Sequence, residues 1–231
     1  MSDPMARPRA MVRWGAAITA TALALLVGVV VRALLYTPVE VHQGPAQKIF
    51  YMHAPAAWSA MLAFSLVGIV SAAYLIMKDE RLDRFAACSA EVGLAFSGVM
   101  LTTGPIWGKT VWGTWWTWDA RLTLTLFLFF LFLGYLALRA AVNDPGERAR
   151  FAAVVGILGL VLVPFIHLSV YLFRTLHPQP VVLKPSAPSL PSDMLITLLT
   201  SFGVFTLLYI GFVTWRYGIA LAADLAGGDD D

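Results

Sequence analysis

Six long apolar stretches separated by short polar segments dominate the pattern of this chain. Each comes close to the ~20 predominantly apolar residues that span the hydrocarbon core of a bilayer. Each must be helical, because lipid offers no partner for unpaired backbone N–H and C=O groups. The stretches cover residues 14–36, 55–77, 85–103, 122–138, 151–173 and 193–215. The pattern predicts an all-α, polytopic membrane protein with six transmembrane helices in a single domain, residues 1–231.

The first apolar stretch follows Arg7, Arg9 and Arg13, as a signal peptide would. However, Trp14 to Val31 is an uncharged run of 18 residues, which is longer than a signal-peptide core, and no small-residue cleavage site follows it. We therefore expect this stretch to be a retained membrane anchor.

The distribution of Lys and Arg predicts the orientation. Six helices place both termini on one side, and that side carries 10 of the 16 basic residues. Basic residues concentrate in short cytoplasmic loops. We therefore expect both termini to be cytoplasmic.

The composition agrees with a membrane location and argues against several kinds of binding site. The chain is 59% hydrophobic and 13% charged, with a mean hydropathy of +0.75 and a net charge of +2. The low and scattered charge argues against nucleic-acid binding. Cys88 is the single cysteine, so neither an internal disulfide nor a cluster of thiolate metal ligands can form.

The predicted outer loops differ from the inner ones. Residues 37–54, 104–121 and 174–192 contain three of the four histidines and five of the eight tryptophans. The five tryptophans lie within 12 residues, at Trp107, Trp112, Trp115, Trp116 and Trp118. An aromatic belt at the headgroup level is one interpretation. A platform for a large, flat, apolar ligand is the other, and the concentration in one loop favours it.

Two histidines from different outer loops suggest what such a ligand could be. His53 precedes the second predicted helix and His177 follows the fifth. Taken singly, each could be an ordinary interfacial histidine. Two neutral imidazoles with an aromatic surface between them would suit an axially ligated haem. His42 could take the place of His53.

Other polar side chains have two possible roles each. Haem propionates need cations, and the candidates are Lys48, Lys109, Arg121 and Arg174, which could equally extend to lipid headgroups. His167 precedes His177 by ten residues, which on a continuous helix places it about 15 Å deeper. It could be functional or simply hydrogen-bonded to a neighbouring helix. Glu91 could be hydrated or protonated.

The run from Trp112 to Thr123, WGTWWTWDARLT, resembles the tryptophan-rich "WWD" signature of haem-handling proteins. Together with the topology and flanking histidines, it is similar to the CcmC family of System I cytochrome c maturation. Six helices favour CcmC over its larger relatives CcmF and CcsA. One departure from the family is that aromatic residues usually precede the second histidine, whereas the run here is Tyr171-Leu-Phe-Arg-Thr-Leu-His177.

The resemblance implies a specific site and cargo. His53 and His177 would be the axial ligands of the haem iron, and the haem would be b-type, non-covalent and in transit. The other cofactor-binding residues would be Trp112, Trp115, Trp116, Trp118, Asp119 and Arg121.

The resemblance also implies partners and a location. Haem would pass on the periplasmic face of the bacterial inner membrane to the chaperone CcmE, and CcmD, CcmA and CcmB would be further partners. The chain has no Walker A pattern, so any ATP hydrolysis would belong to a partner and the chain itself would not be an enzyme. The alternatives are a CcsA-type haem lyase, a haem-dependent oxidoreductase, or a structural or permease subunit without haem.

Overall fold

The computed structural model describes residues 3–182 and 184–227, and this part of the chain is 82% helical and contains no strand. Its six long helices are each long and apolar enough to cross a membrane. They are α1 Ala6–Val31, α2 Phe50–Met77, α3 Glu80–Trp112, α4 Ala120–Ala141, α5 Pro145–Leu172 and α6 Ser192–Gly227. A π-helix, Arg32–Tyr36, extends α1, and a 3-10 helix, Pro45–Ile49, precedes α2. The predicted all-α, six-helix membrane fold is confirmed.

The helices are longer than the apolar stretches that predicted them. The largest difference is in α3, which continues through Pro105 to Trp112, so that the tryptophan-rich loop covers residues 113–119 instead of 104–121. Gly113 ends this helix with a φ of 75°, which residues with a Cβ rarely adopt. A hydropathy pattern detects only the segment within lipid, whereas a helix continues for as long as its backbone hydrogen bonds do.

Close backbone contact joins α1 to α6. A Cβ atom at Gly15 would lie 2.4 Å from the backbone nitrogen of Trp215, and one at Gly211 would lie 2.9 Å from that of Thr19. Small residues allow membrane helices to approach closely and gain van der Waals contact. Elsewhere α2 packs against α3, α5 and α6, so it lies at the centre of the bundle.

Ion pairs connect α3 to α4 and α6 in the half of the bundle near the α2–α3 turn. Arg139 binds both carboxylate oxygens of Asp83, at 2.6 and 2.8 Å, and both side chains are largely buried. Arg216 donates to Glu91 at 2.6 Å, so Glu91 is an ion-pair partner, which the sequence had not predicted. These contacts fix the end of the bundle opposite to the tryptophan-rich loop.

Candidate functional site

His53 and His177 line the same cavity, which has a volume of about 630 Å³. This volume lies within the ~300–1,000 Å³ typical of ligand sites. Trp107, Trp116 and Arg121 also line it. A smaller recess at the end near the tryptophan-rich loop is lined by both histidines together with Trp112, Trp115 and Trp116. Tertiary packing therefore brings together residues that are up to 124 positions apart in the sequence.

His53 lies in the first turn of α2, beside the tryptophan-bearing end of α3. Its Nδ1 atom is 3.1 Å from Oγ1 of Thr103, and its ring centroid is 5.7 Å from that of Trp107. Gly104 leaves room for the imidazole, because a Cβ atom there would lie 3.0 Å from Cε1 of His53. The position of the ring is thus fixed by α3.

His177 lies in the loop after α5. Its Nδ1 is 3.1 Å from the carbonyl oxygen of Pro178, and its ring centroid is 6.3 Å from that of Trp112. A carbonyl can only accept a hydrogen bond, so Nδ1 carries the proton and Nε2 has the free lone pair. Burial, together with the positive charge of Arg121, lowers the pKa of His177 to about 3. The imidazole is therefore neutral at physiological pH, as a metal ligand must be.

Arg121 is the one cation among the four candidates that lines the cavity. Its Nη1 atom is buried and has no hydrogen-bond partner in the described part of the chain, and the same is true of Nε1 of Trp116. Buried donors are almost always paired in native proteins, and a ligand carboxylate would satisfy the guanidinium.

The other three cations are placed elsewhere. Lys48 donates to the carbonyl oxygens of Thr37 and Pro38. Lys109 donates to that of Gly113 at 3.0 Å, and Arg174 is exposed. Both lysines already donate to backbone carbonyls. Among the four candidate cations, Arg121 alone lines the cavity and has a donor atom without a partner in the described residues.

Two of the predicted platform residues lie beside the cavity instead of in its wall. Trp118 is 76% exposed and packs its edge against Trp116, with ring centroids 5.9 Å apart. Asp119 caps the start of α4 by accepting from the backbone N–H of Leu122 at 3.0 Å, and it also accepts from Thr117. Their positions support the shape of the loop that carries Trp116.

His42 lies outside the cavity. It is exposed in the turn closed by Glu40, whose carboxylate accepts from the backbone N–H groups of His42 and Gln43. The structure therefore groups His177 with His53 and not with His42.

Trp107 and His167 also line the cavity, although neither is among the site residues predicted from the sequence. Trp107 packs against His53 and donates from Nε1 to Gln43 at 3.1 Å. Its position in the tryptophan-rich run was the signal that could have identified it. His167 lines the cavity as well. A helix continuing to His177 would place His167 about 15 Å deeper than His177. In the structure α5 ends at Leu172, five residues or about 7.5 Å beyond His167.

These contacts define what the site can do chemically. Two imidazoles can supply the axial nitrogens of a porphyrin iron, since the macrocycle itself supplies the other four. Indole rings provide stacking surface, and Arg121 provides a cation for a carboxylate. The residues present therefore fit a haem with its propionates.

Comparisons with known proteins agree with this chemistry. The family model described as "Heme exporter protein C" matches residues 2–224. The chain is 39% identical over 191 residues to the protein of that name from Bradyrhizobium diazoefficiens, covering 83% of this chain and 72% of the relative. The Haemophilus influenzae protein is 38% identical over 198 residues, covering 85% and 80%. A ccmC-like mitochondrial protein of cytochrome c biosynthesis from Marchantia polymorpha is 36% identical over 168 residues, covering 73% and 71%.

Proposed function

Because the chain belongs to the haem exporter protein C family, we propose that it binds haem through His53 and His177 and passes it to an acceptor outside the membrane. As a member of this family, the chain is a multi-pass membrane protein that handles haem for cytochrome c maturation. The observation that carries the proposal is the convergence of both histidines on one cavity with an aromatic wall.

In this proposal each group at the outer end of the cavity has a distinct task. His53 and His177 hold the iron from opposite sides, Trp112, Trp115 and Trp116 contact the porphyrin, and Arg121 pairs with a propionate. The described residues that line the cavity include no cysteine, so haem is held without a thioether bond to the protein, as b-type haem is. Cargo bound in this way can be released without breaking a covalent bond.

Haem is transferred from the membrane protein to an acceptor in the periplasm. Both termini lie in the cytoplasm, as the 10 to 6 distribution of basic residues favours, and the cavity mouth lies on the periplasmic side of the bacterial inner membrane. Trp115 and Trp118 are 59% and 76% exposed beside that mouth, where a soluble acceptor can reach them. The acceptor is CcmE, and CcmD, CcmA and CcmB are the partners within the membrane complex. The chain delivers haem and is not an enzyme, and any ATP hydrolysis belongs to a partner.

The experiment is an absorption and pyridine-haemochrome spectrum of the protein purified from haem-replete cells. The variants are His53→Ala and His177→Ala, with His42→Ala as a matched control because His42 lies outside the cavity. We expect low-spin bands in the wild type and the control, and loss of these bands in both cavity variants. Bands that persist unchanged in both cavity variants would contradict the proposed ligands. Absence of haem from the wild type would contradict haem binding itself.

A further inference from the structure

The cavity extends far below the two proposed ligands. Residues along α2 from Phe50 to Ser65 line it, and 15 residues of helix correspond to about 22 Å. Ser65 lies 12 residues beyond His53, or about 18 Å towards the opposite end of the bundle. A site that only presented haem to the periplasm would not need this depth. The lower part is therefore available for the cargo before it reaches the outer end.

The flank of the cavity is accessible from outside the bundle. Trp58 of α2 and Leu168 of α5 both line the cavity, and they remain 36% and 46% exposed. Both residues lie within membrane-spanning helices, where the surroundings of an exposed apolar side chain are lipid tails. An apolar molecule dissolved in the bilayer can therefore reach the cavity past these two side chains.

His167 lies on this flank, in the residue directly before Leu168. Its ring is half-buried and packs near Tyr171, with centroids 6.3 Å apart, and it makes no hydrogen bond within the described residues. An ionisable side chain in a transmembrane helix is costly and marks a functional position by default. The imidazole of His167 therefore offers the cavity a nitrogen lone pair that is not engaged in a hydrogen bond to any described residue.

Arg121 connects the two levels of the cavity. It lines the same space as His53, His167 and His177, and among the described residues its buried Nη1 atom has no hydrogen-bond partner. A propionate can stay paired with this cation while the iron moves from one imidazole to the next. Such a contact would limit the freedom of the haem during the transfer.

We propose that haem enters the cavity sideways from the bilayer, past Trp58 of α2 and Leu168 of α5, and that His167 binds the iron before His53 and His177 take it. This rests on the proposed function, since it gives the route to the same site. The step is a ligand exchange, in which the bond from iron to the His167 imidazole breaks as a bond to His53 or His177 forms. Each imidazole donates its own lone pair, so the exchange needs neither an oxidant nor a reductant.

The first test follows the rate of loading. The protein is reconstituted in phosphatidylcholine vesicles, and haem is supplied either dissolved in that lipid or bound to excess serum albumin in water. The growth of the low-spin bands is recorded. His167→Ala should slow loading from lipid by about tenfold, equivalent to about 1.4 kcal/mol in the barrier. Its final spectrum and its loading from albumin should remain those of the wild type.

A second pair of variants tests the opening itself. Leu168→Trp should obstruct the flank and slow loading from lipid alone. Leu158→Trp is its matched control, because Leu158 is a similarly exposed leucine of α5 that does not line the cavity. Equal rates of loading from lipid in the wild type, His167→Ala and Leu168→Trp would overturn the route. Loss of the final spectrum in His167→Ala would overturn the transient role and place His167 in the resting site.

A third measurement identifies the earlier position of the iron. The double variant His53→Ala/His177→Ala should retain some haem with a five-coordinate, high-spin spectrum. Adding His167→Ala to this pair should remove that spectrum, and its persistence would overturn the assignment of His167 as a ligand. Failure of the proposed function has a different signature, because the wild type would then bind no haem from either donor.

Discussion

The Oγ1 atom of Thr103 lies 3.1 Å from Nδ1 of His53 and 2.8 Å from the carbonyl oxygen of Val99. The hydroxyl has one proton, and with that proton donated to the carbonyl of Val99, Oγ1 accepts a hydrogen bond from Nδ1 of His53. The proton of His53 therefore resides on Nδ1, and Nε2 has the lone pair. His177 reaches the same state through the carbonyl of Pro178. Two independent contacts thus prepare both imidazoles to coordinate through Nε2.

The first prediction concerns this hydrogen bond. Thr103→Val retains the shape of the side chain and removes the acceptor for His53, so the imidazole loses its fixed tautomer and orientation. We expect haem affinity to fall by about 10–100-fold, as for other contacts that orient metal ligands. Titration of the purified protein with haem measures the change. Thr102→Val is the matched control, because the Thr102 hydroxyl bonds only to the carbonyl of Gly98. Equal affinities in both variants would contradict the role of Thr103.

The second prediction concerns Arg121. Arg121→Gln removes the cation proposed to pair with a propionate. Loss of a hydrogen bond to a charged group costs about 1.5–3 kcal/mol, so haem affinity should fall by roughly 10–150-fold. The dimethyl ester of haem lacks the carboxylates, so the wild type should bind it more weakly than haem, whereas Arg121→Gln should bind both alike. Lys109→Gln is the control, because Lys109 bonds to the end of α3 outside the cavity. A variant that still prefers haem to its ester would exclude this pairing.

The third prediction concerns the space beside His53. In Gly104→Ala, the new methyl group would lie 3.0 Å from Cε1 of His53, so the imidazole must shift by a few tenths of an ångström. We expect altered positions of the low-spin bands and an affinity reduced by up to about tenfold. Gly98→Ala, on the same helix, has no neighbour within 4 Å of the added Cβ atom and should leave the spectrum unchanged. Both substitutions have the same effect on helix propensity, so a difference between the two spectra reports the contact with His53. Identical spectra would contradict this contact.

The fourth prediction concerns the end of the bundle opposite to the cavity. Asp83→Asn removes one charge of the largely buried pair with Arg139, which leaves the guanidinium without its partner. Breaking such a pair costs about 3–5 kcal/mol. Thermal unfolding in detergent should therefore occur at a lower temperature, while the haem spectrum below the transition stays that of the wild type. Arg9→Gln breaks an exposed pair with Asp3 and should leave the unfolding temperature unchanged. An altered haem spectrum in Asp83→Asn would show that the two ends are coupled.

The sequence by itself determined the class of fold. Lipid forces every spanning segment to satisfy its own backbone hydrogen bonds, so apolar length alone predicts six helices. It also identified the residue types from which the family could be recognised, because the tryptophan-rich run and its following Asp119-Ala-Arg121 are contiguous. These properties are local, and a local pattern is sufficient to find them.

Only the tertiary structure decided which residues share the cavity. It grouped His177 with His53, placed Arg121 there but not Lys48 or Lys109, and left Trp118 at the margin. It also placed His167 in the same space, because the chain leaves the helix at Leu172 and the following loop packs over the cavity. Sequence separation along one helix fixes the distance between two residues, whereas the distance between segments depends on how helices pack and where loops turn. That physical difference is why the residue types of the candidate site were predictable and the composition of the cavity wall was not.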